Sequence, residues 1–326
     1  MKILFSFPGH LSTVPMNRYV LETLKDLGHD VEPFNFGVGG IYPRMLKKLS
    51  RYRFLSYIDS KLLTLAKRFK PDIFLTIFGF DHRKEIIDHL RAMGIITACW
   101  WLNDPFRLNR SLRQAVAYDY YFTNAKGSLD YYKRAGIKNV FFLPVGIFPS
   151  VHRNIENIAV KYDICFAGDW GPVREEVLTS LADDFNIAIF GPWKKKLKKR
   201  SPLAGNIKKG RHFSPEEMAM AFNQSRIVLN IHSWFGKWDY GVNPRVFEAN
   251  GCGSFQISDY KEEIPELYEP GKEIVLYKTT GELKEKLSFY LHNEKERKSI
   301  ASQGYMKTMR CHTYGERLME ILHICA

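Results

Sequence analysis

The sequence contains no apolar run approaching the roughly 18 residues that a membrane-spanning helix needs. Its first apolar stretch, residues 3–7, is too short for the hydrophobic part of a signal peptide, and no cleavage site follows it. Cysteine is scarce: five cysteines are scattered through the chain, and no CxxC pair or Cys/His cluster has zinc-ligand spacing. These absences argue against a membrane span, a secretory leader and a Cys/His zinc site. They predict a cytoplasmic protein with reduced, buried thiols.

Acidic residues are fewer than basic ones, 35 against 48, and the formal net charge is +13. An excess of this size indicates a negatively charged partner rather than a particular fold. Phosphorylated substrates, an anionic membrane face and nucleic acid all fit it. Residues 194–200, KKKLKKR, concentrate the charge, and the alternative for this run is a solvated loop. Aromatic residues do not interleave with it as base stacking would require, so we expect no nucleic acid partner.

The length of 326 residues and the apolar fraction of 45% favour two domains, each with its own core. In the first half, apolar runs alternate with amphipathic segments, and glycines separate them. This strand–glycine–helix–strand order predicts a doubly wound α/β domain. Two prolines and a glycine within residues 144–149 indicate a hinge, after which the same alternation begins again. The sequence therefore predicts a second α/β domain.

Two polar residues of the first half follow predicted strands, at the sheet edge where doubly wound domains bind ligands. His10 follows a strand at 2–7, and Asp104 follows a strand at 95–102. His10 has the chemistry of a general base or of a ligand to a sugar hydroxyl, and Asp104 would place a carboxylate at the same edge. The alternatives are an ordinary polar loop residue for His10 and a helix N-cap for Asp104.

In the second half, a glycine loop follows a predicted strand at 162–167 and opens a helix. The glycines let a phosphate or a sugar approach the backbone, and Arg174 lies in the first turn of the helix. The candidate binding residues are Gly168, Asp169 and Arg174, with Lys194 as an alternative second cation. Trp193 either lies beside a nucleotide base or packs in the core.

Residues 241–259, GVNPRVFEANGCGSFQISD, form the motif around which the prediction is built. Asn243 is a good N-cap, and a proline suits the first helical position. The helix start offers N–H groups and the positive end of its dipole to a diphosphate, and Arg245 adds a charge-assisted bond. Glu248 shares a face with Arg245 and can accept two hydrogen bonds from ribose hydroxyls. The alternative is a capped surface helix with an Arg–Glu pair.

Residues 243–259 and 269–277 resemble the C-terminal domain of family-1/4-type glycosyltransferases, and more closely the CgeB/YkvP-like group. Residues 100–106 and 143–146 also resemble that group. The resemblance implies the GT-B fold, two Rossmann-like, doubly wound α/β domains facing across a cleft.

We accordingly expect an acceptor domain at 1–147 and a nucleotide-sugar-binding domain at 148–311. A last helix at 312–326 would pack back on the first domain.

The sequence departs from the family pattern at one point. Retaining relatives usually carry two glutamates with seven residues between them, and Glu248 matches the second. Tyr240 stands where the first is expected, and Asp239 is its acidic neighbour. Both are included in the expected donor site, and the stereochemical outcome stays open.

The resemblance implies transfer of a hexosyl unit from a nucleoside diphosphate sugar, a UDP-sugar first, to an acceptor hydroxyl. Arg245 and the helix start would stabilise the leaving diphosphate without a metal, while His10 and Asp104 would face the acceptor. The acceptor would be an anionic glycan, a lipid-linked glycan or a protein, with peripheral contact to the inner membrane face. Two alternatives stay open: a nucleotide-sugar epimerase of the same fold, and a non-catalytic basic protein that binds nucleotides or nucleic acid.

Overall fold

The computed structural model describes residues 1–9, 11, 14–37 and 41–326. The chain forms two compact units, Met1–Pro144 with Tyr314–Ala326, and Val145–Thr313. Each unit is built on one six-stranded sheet. In the part of the chain just given, no helix combines the length and the apolarity that crossing a membrane requires.

The first unit contains six strands joined in parallel. The strands are β1 (Lys2–Phe7), β2 (Asp30–Asn35), β3 (Ile73–Ile77), β4 (Ile96–Trp101), β5 (Tyr120–Thr123) and β6 (Val140–Phe142). The helices are α1 (Pro15–Asp26), α2 (Ile41–Leu49), α3 (Arg51–Phe69), α4 (Lys84–Ala92), α5 (Leu108–Ala115), α6 (Leu129–Arg134) and the last helix of the chain, α13 (Tyr314–Cys325).

The strand order of the first sheet is β2-β1-β3-β4-β5-β6. Strand β3 is buried along its whole length, as expected for a central parallel strand covered on both faces. The order reverses direction between β1 and β3, which makes the carboxyl ends of these two strands the topological switch point.

The second unit also has six parallel strands. They are β7 (Tyr162–Ala167), β8 (Ile187–Phe190), β9 (Ile207–Lys209), β10 (Ser225–Asn230), β11 (Gln256–Asp259) and β12 (Val275–Tyr277). Its helices are α7 (Pro172–Leu181), α8 (Pro215–Asn223), α9 (Arg245–Gly251), α10 (Ile264–Leu267), α11 (Thr280–His292) and α12 (Glu294–Cys311).

The second sheet has the order β9-β8-β7-β10-β11-β12. Counted from its own first strand, this is the 3-2-1-4-5-6 order of dinucleotide-binding domains, with the switch point between β7 and β10. The two units therefore share the α/β fold class but differ in strand order. Apolar periodicity does not encode on which side of the first strand a later strand is added.

The segment after Pro144 packs within the second unit. Ile147 pairs with Thr313, and the Ile147 N–H donates to the carbonyl of His312 at 2.8 Å. A Cβ on Gly146 would lie 2.6 Å from the Thr313 carbonyl carbon, so this crossing requires glycine. The units thus divide at Pro144/Val145 and Thr313/Tyr314, whereas the sequence predicted 147/148 and 311/312.

Asp104 lies inside the first unit, and the structure contradicts both of its predicted roles. Its residue surface is 1% exposed, and α5 begins four residues later, at Leu108, without a side-chain cap. Four side-chain groups donate to the Asp104 carboxylate, at 2.7–3.0 Å: Trp101 Nε1, Ser111 Oγ, Thr123 Oγ1 and the Tyr132 hydroxyl. Burial raises the pKa of this carboxyl, and the donors partly oppose the shift. Asp104 joins β4, α5, β5 and α6 and cannot face an acceptor.

Asp104→Asn should destabilise the protein because it replaces one accepting carboxylate oxygen with an N–H₂ group. This new donor would face the donor groups that now bind the carboxylate, and no solvent reaches the site. Each buried polar group left without a partner costs about 1–3 kcal/mol, so we expect a loss of about 2–4 kcal/mol in the free energy of unfolding. Denaturant unfolding followed by tryptophan fluorescence measures it. Asp88→Asn, at an exposed pair with Lys84, is the control and should change stability by about 0.5 kcal/mol or less. Equal stability of the two variants would contradict the structural role.

Candidate functional site

Two arginine side chains meet at the switch point of the second sheet. Arg245 Nε donates to the carbonyl of Ala167, the last residue of β7, at 3.0 Å. Arg174, in the first turn of α7, donates through Nε to the Ile231 carbonyl at 2.9 Å and through Nη1 to the Asp169 carbonyl at 2.9 Å. A guanidinium has five N–H groups. Each arginine therefore retains further donors at the edge where such sheets bind ligands.

The two guanidinium groups repel each other. Burial lowers the pKa of Arg174 to about 10, and the positive charge of Arg245 contributes to the shift. Arg245 forms an ion pair with Glu248 one turn further along α9. Two cations held by backbone carbonyls, of which Arg245 is paired with one carboxylate, form a site that an anion would stabilise.

The glycine loop after β7 is fixed by contacts with Gly191 and Trp193. A Cβ on Gly191 would lie 2.2 Å from the Gly168 carbonyl oxygen, and φ of Gly191 is +147°, so only glycine fits. Trp193 donates its indole N–H to the same carbonyl at 2.8 Å and is fully buried against Phe166. Of the two predicted roles for Trp193, the structure shows core packing. Its ring supports the loop and presents no face to a base.

The sequence predicted that Asn243 caps the helix, but in the structure it does not. Helix α9 begins at Arg245, and Pro244 occupies the cap position without a side-chain hydrogen bond. The Asn243 amide instead donates to Asn230 Oδ1 at 3.0 Å, and the Asn230 amide donates to Ser258 Oγ at 3.0 Å. The Asn243 side chain therefore ties the loop before α9 to β10 and β11.

A buried cluster of charged side chains orients that loop, and sequence reasoning missed its role. The Asn243 N–H donates to His232 Nε2 at 3.1 Å, and His232 Nδ1 lies 2.6 Å from Asp259 Oδ1. The accepting Nε2 fixes the tautomer, with the proton on Nδ1. Lys261 Nζ lies 2.9 Å from the other oxygen of Asp259. All three side chains are fully buried.

The charges of this cluster follow from its surroundings. Burial lowers the pKa of His232, so the ring is neutral and can accept from Asn243. Burial alone would raise the pKa of Asp259, but His232 and Lys261 outweigh it and lower the pKa. Both His232 and Asp259 stand at the carboxyl ends of neighbouring strands. The strand-end argument applied to Asp104 would have selected them.

The remaining predicted site residues differ in burial and in their contacts. The Glu248 side chain is 12% exposed, and its Oε1 lies 3.6 Å from His152 Nε2. The Arg–Glu pair forms as the alternative stated, but α9 is mostly buried rather than a surface helix. Asp239 and Lys194 are exposed, and the Tyr240 carbonyl accepts from the Trp234 indole at 3.0 Å. His10 lies outside the described residues.

A protein-family model matches most of the second half of the chain. Residues 174–323, somewhat under half of the sequence, match a family model described as glycosyl transferase-like. The match includes Arg174, His232, Arg245, Glu248 and Asp259. The sequence has no significant match among curated proteins.

Solved structures resemble the chain over almost its full length. Sucrose-phosphate synthase from Thermosynechococcus elongatus has a TM-score of 0.75 at 10% identity, covering 99% of this chain and 98% of that one. HepE from Anabaena, solved with UDP-glucose, has a TM-score of 0.69 at 13% identity, covering 99% of both chains. A proposed UDP-N-acetylglucosamine 2-epimerase from Listeria monocytogenes has a TM-score of 0.60 at 13% identity, covering 98% of this chain and 94% of that one.

The fold is GT-B. The two parallel sheets with flanking helices match these neighbours, which confirms the predicted fold class. At these identities the likeness concerns the fold alone.

Asp259→Asn should destabilise the second unit strongly because it leaves the Lys261 ammonium buried without its counter-charge. Breaking a buried pair from one side costs about 3–5 kcal/mol. Asp184→Asn removes an equally close but exposed partner of Lys284, which should cost about 1 kcal/mol or less. Thermal unfolding of both variants at one ionic strength measures the difference. An Asp259 variant no less stable than the Asp184 variant would contradict the account of the cluster.

Proposed function

We propose that the protein is a glycosyltransferase that moves a sugar from a UDP-sugar to an acceptor hydroxyl without a metal ion. The observation that carries the proposal is the pair of guanidinium groups at the switch point. Arg174 and Arg245 are held at the ends of β7 and β10 and are close enough to influence each other's charge. Such a pair suits a diphosphate, because each guanidinium can bind phosphate oxygens through two parallel N–H groups.

The chemistry follows from where charge develops. As the bond between the sugar and the β-phosphate breaks, negative charge grows on the leaving oxygen. Donors already fixed in place stabilise that charge without reorganising. The carbonyl bonds of Arg174 and Arg245, and the buried cluster behind Asn243, provide this rigidity. Two guanidiniums then supply the charge for which other transferases use a divalent cation.

Four other residues are proposed to contact the sugar nucleotide. Gly168 and Asp169 lie in the loop to which Arg174 is bonded, so we propose backbone contact with the donor there. Asp239 and Tyr240 precede the motif, and we keep them as candidates for contact with the donor sugar. UDP and UDP-glucose are the ligands of the Anabaena neighbour, which favours uridine as the base.

Arg245→Ala should weaken UDP binding by about 10- to 100-fold, the range for losing a hydrogen bond to a charged group worth about 1.5–3 kcal/mol. Isothermal titration with UDP, GDP, dTDP and CMP measures the affinity and the preferred base. Arg226→Ala is the control, since Arg226 lies near the start of β10 and pairs with Asp163. Equal UDP affinity in the wild type and in both variants would remove the diphosphate site from the switch point.

Glu248 tests recognition of the ribose separately from the diphosphate. We propose that its carboxylate accepts hydrogen bonds from the ribose hydroxyls while it stays paired with Arg245. Glu248→Ala should then weaken UDP binding by about tenfold but leave the affinity for inorganic pyrophosphate within about twofold of the wild type. An equal loss for both ligands would mean that Glu248 only positions Arg245.

A nucleotide-sugar epimerase is the second candidate, because one structural neighbour is described as such an enzyme. The two activities differ in what happens to the donor alone. An epimerase converts UDP-N-acetylglucosamine to a changed sugar nucleotide without any acceptor, whereas a transferase leaves the sugar nucleotide intact or slowly hydrolyses it. Chromatography of the donor after incubation with the protein separates the two.

A further inference from the structure

The first unit contains a cavity of about 340 Å³ beside the carboxyl end of β3. Phe80 and His82, from the loop after β3, form one side, and α5 forms the other. Three of its lining residues are basic, Lys84, Arg110 and Arg113, and none is acidic. The cavity belongs to the first unit, whereas Arg174 and Arg245 belong to the second. The proposed donor site therefore does not account for it.

The arginines of α5 form no ion pair with an acidic residue in the part of the chain that the structure describes. Arg110 and Arg113 are three positions apart and so share one face of the helix, which contains no acidic residue. Arg110 donates to the Phe80 carbonyl and lies over the Phe80 ring, with its Cζ 4.8 Å from the ring centroid. Within the described ranges, neither arginine forms an ion pair. Lys84 differs in this respect, because its ammonium is 2.6 Å from Asp88.

Arg110 lies among charges of both signs. Burial lowers its pKa; the negative charge of Asp81 opposes this shift, and the positive charges of Arg51 and Arg107 add to it. Like charges three or four positions apart on a helix repel, so this arrangement costs stability when nothing neutralises it. A bound anion would recover that cost.

A buried histidine provides a second, independent indication of a ligand. His82 lines the cavity, is 9% exposed and is fixed by a 2.8 Å hydrogen bond between Nε2 and Ser6 Oγ. Phe36 and Phe74 pack edge-on against its ring. Its other nitrogen, Nδ1, is buried and has no hydrogen-bond partner in the part of the chain that the structure covers. Buried polar atoms usually have a hydrogen-bond partner, which Nδ1 of His82, like several other buried atoms of the described residues, lacks.

The protonation state of His82 is compatible with an anion. Burial lowers its pKa to about 3, so the ring is neutral at physiological pH. When the Ser6 hydroxyl donates to Nε2, the single ring proton resides on Nδ1. The unpartnered Nδ1 is then an N–H donor on a ring that lines the cavity.

We propose that this cavity binds a phosphate group carried by the acceptor. Guanidinium groups match phosphate geometry, and unpaired cations with one neutral donor suit a doubly charged oxyanion. The cavity is larger than a phosphate group and leaves room for part of the molecule to which it is attached. Assigning the phosphate to the acceptor rests on the proposed function, whereas phosphate binding itself does not.

The test measures binding of inorganic phosphate by titration at constant ionic strength, with chloride as the balancing ion and UDP present to occupy the donor site. Arg113→Gln should weaken phosphate binding by about tenfold, and Arg113→Lys should retain most of it. Arg134→Gln, an exposed change of the same charge on α6 of the same unit, is the control and should leave the affinity unchanged. Arg113 is exposed, so its loss does not threaten folding as loss of Arg110 would.

The outcomes are distinguishable. A loss in Arg113→Gln with unchanged UDP affinity supports the proposal. Equal phosphate binding in Arg113→Gln and Arg134→Gln overturns it, and so does phosphate binding that is lost only in Arg245→Ala. If UDP fails to bind while Arg113→Gln still loses phosphate, the phosphate site stands and the proposed function fails.

Two further titrations identify the source of the phosphate. Glucose 6-phosphate represents a soluble phosphosugar, and phosphatidylcholine vesicles with or without phosphatidic acid represent a lipid. Binding of either that depends on Arg113 supports the acceptor assignment. Binding of neither, with inorganic phosphate still bound, overturns that assignment.

Discussion

The proposed donor site depends on the buried negative charge of Asp259. Asp259 accepts from His232, and the other nitrogen of His232 accepts the backbone N–H of Asn243, which precedes helix α9. Lys261 neutralises Asp259 from the far side. Burying these groups is costly unless they are paired; here His232 is hydrogen-bonded to Asp259, and Lys261 forms an ion pair with it. The result is a rigid platform from which Arg245 extends to the end of β7.

Rigid placement of cations connects this platform to the proposed transfer reaction. Arg174 and Arg245 would move apart if only solvent surrounded them, but each is bonded to a backbone carbonyl of the sheet edge. The close contact between Gly168 and Gly191 keeps the loop beneath them in place. A site built in this way is organised before its ligand arrives, so binding energy is not consumed in assembling it.

Two aspartates with the same sequence signature illustrate how far pattern reasoning extends. Asp104 and Asp259 each lie at or just beyond the end of a buried strand, and both are buried. Asp104 accepts from four neutral donors that join the elements of one core. Asp259 is half of an ion pair in the cluster that orients the loop before α9. The periodicity that predicts a strand also predicts where it ends, but the direction of the next side chain depends on the neighbouring elements.

The sequence by itself determined the α/β class and the positions of many elements, including β1 at 2–7 and β7 at 162–167. It also determined that Arg245 and Glu248 share one face of a helix, because apolar periodicity, glycine and proline act on neighbours in the chain. Only the tertiary structure decided the different strand orders of the two sheets, the cluster at His232 and the cavity lined by α5. Those features arise from contacts between residues far apart in sequence, which no local pattern records.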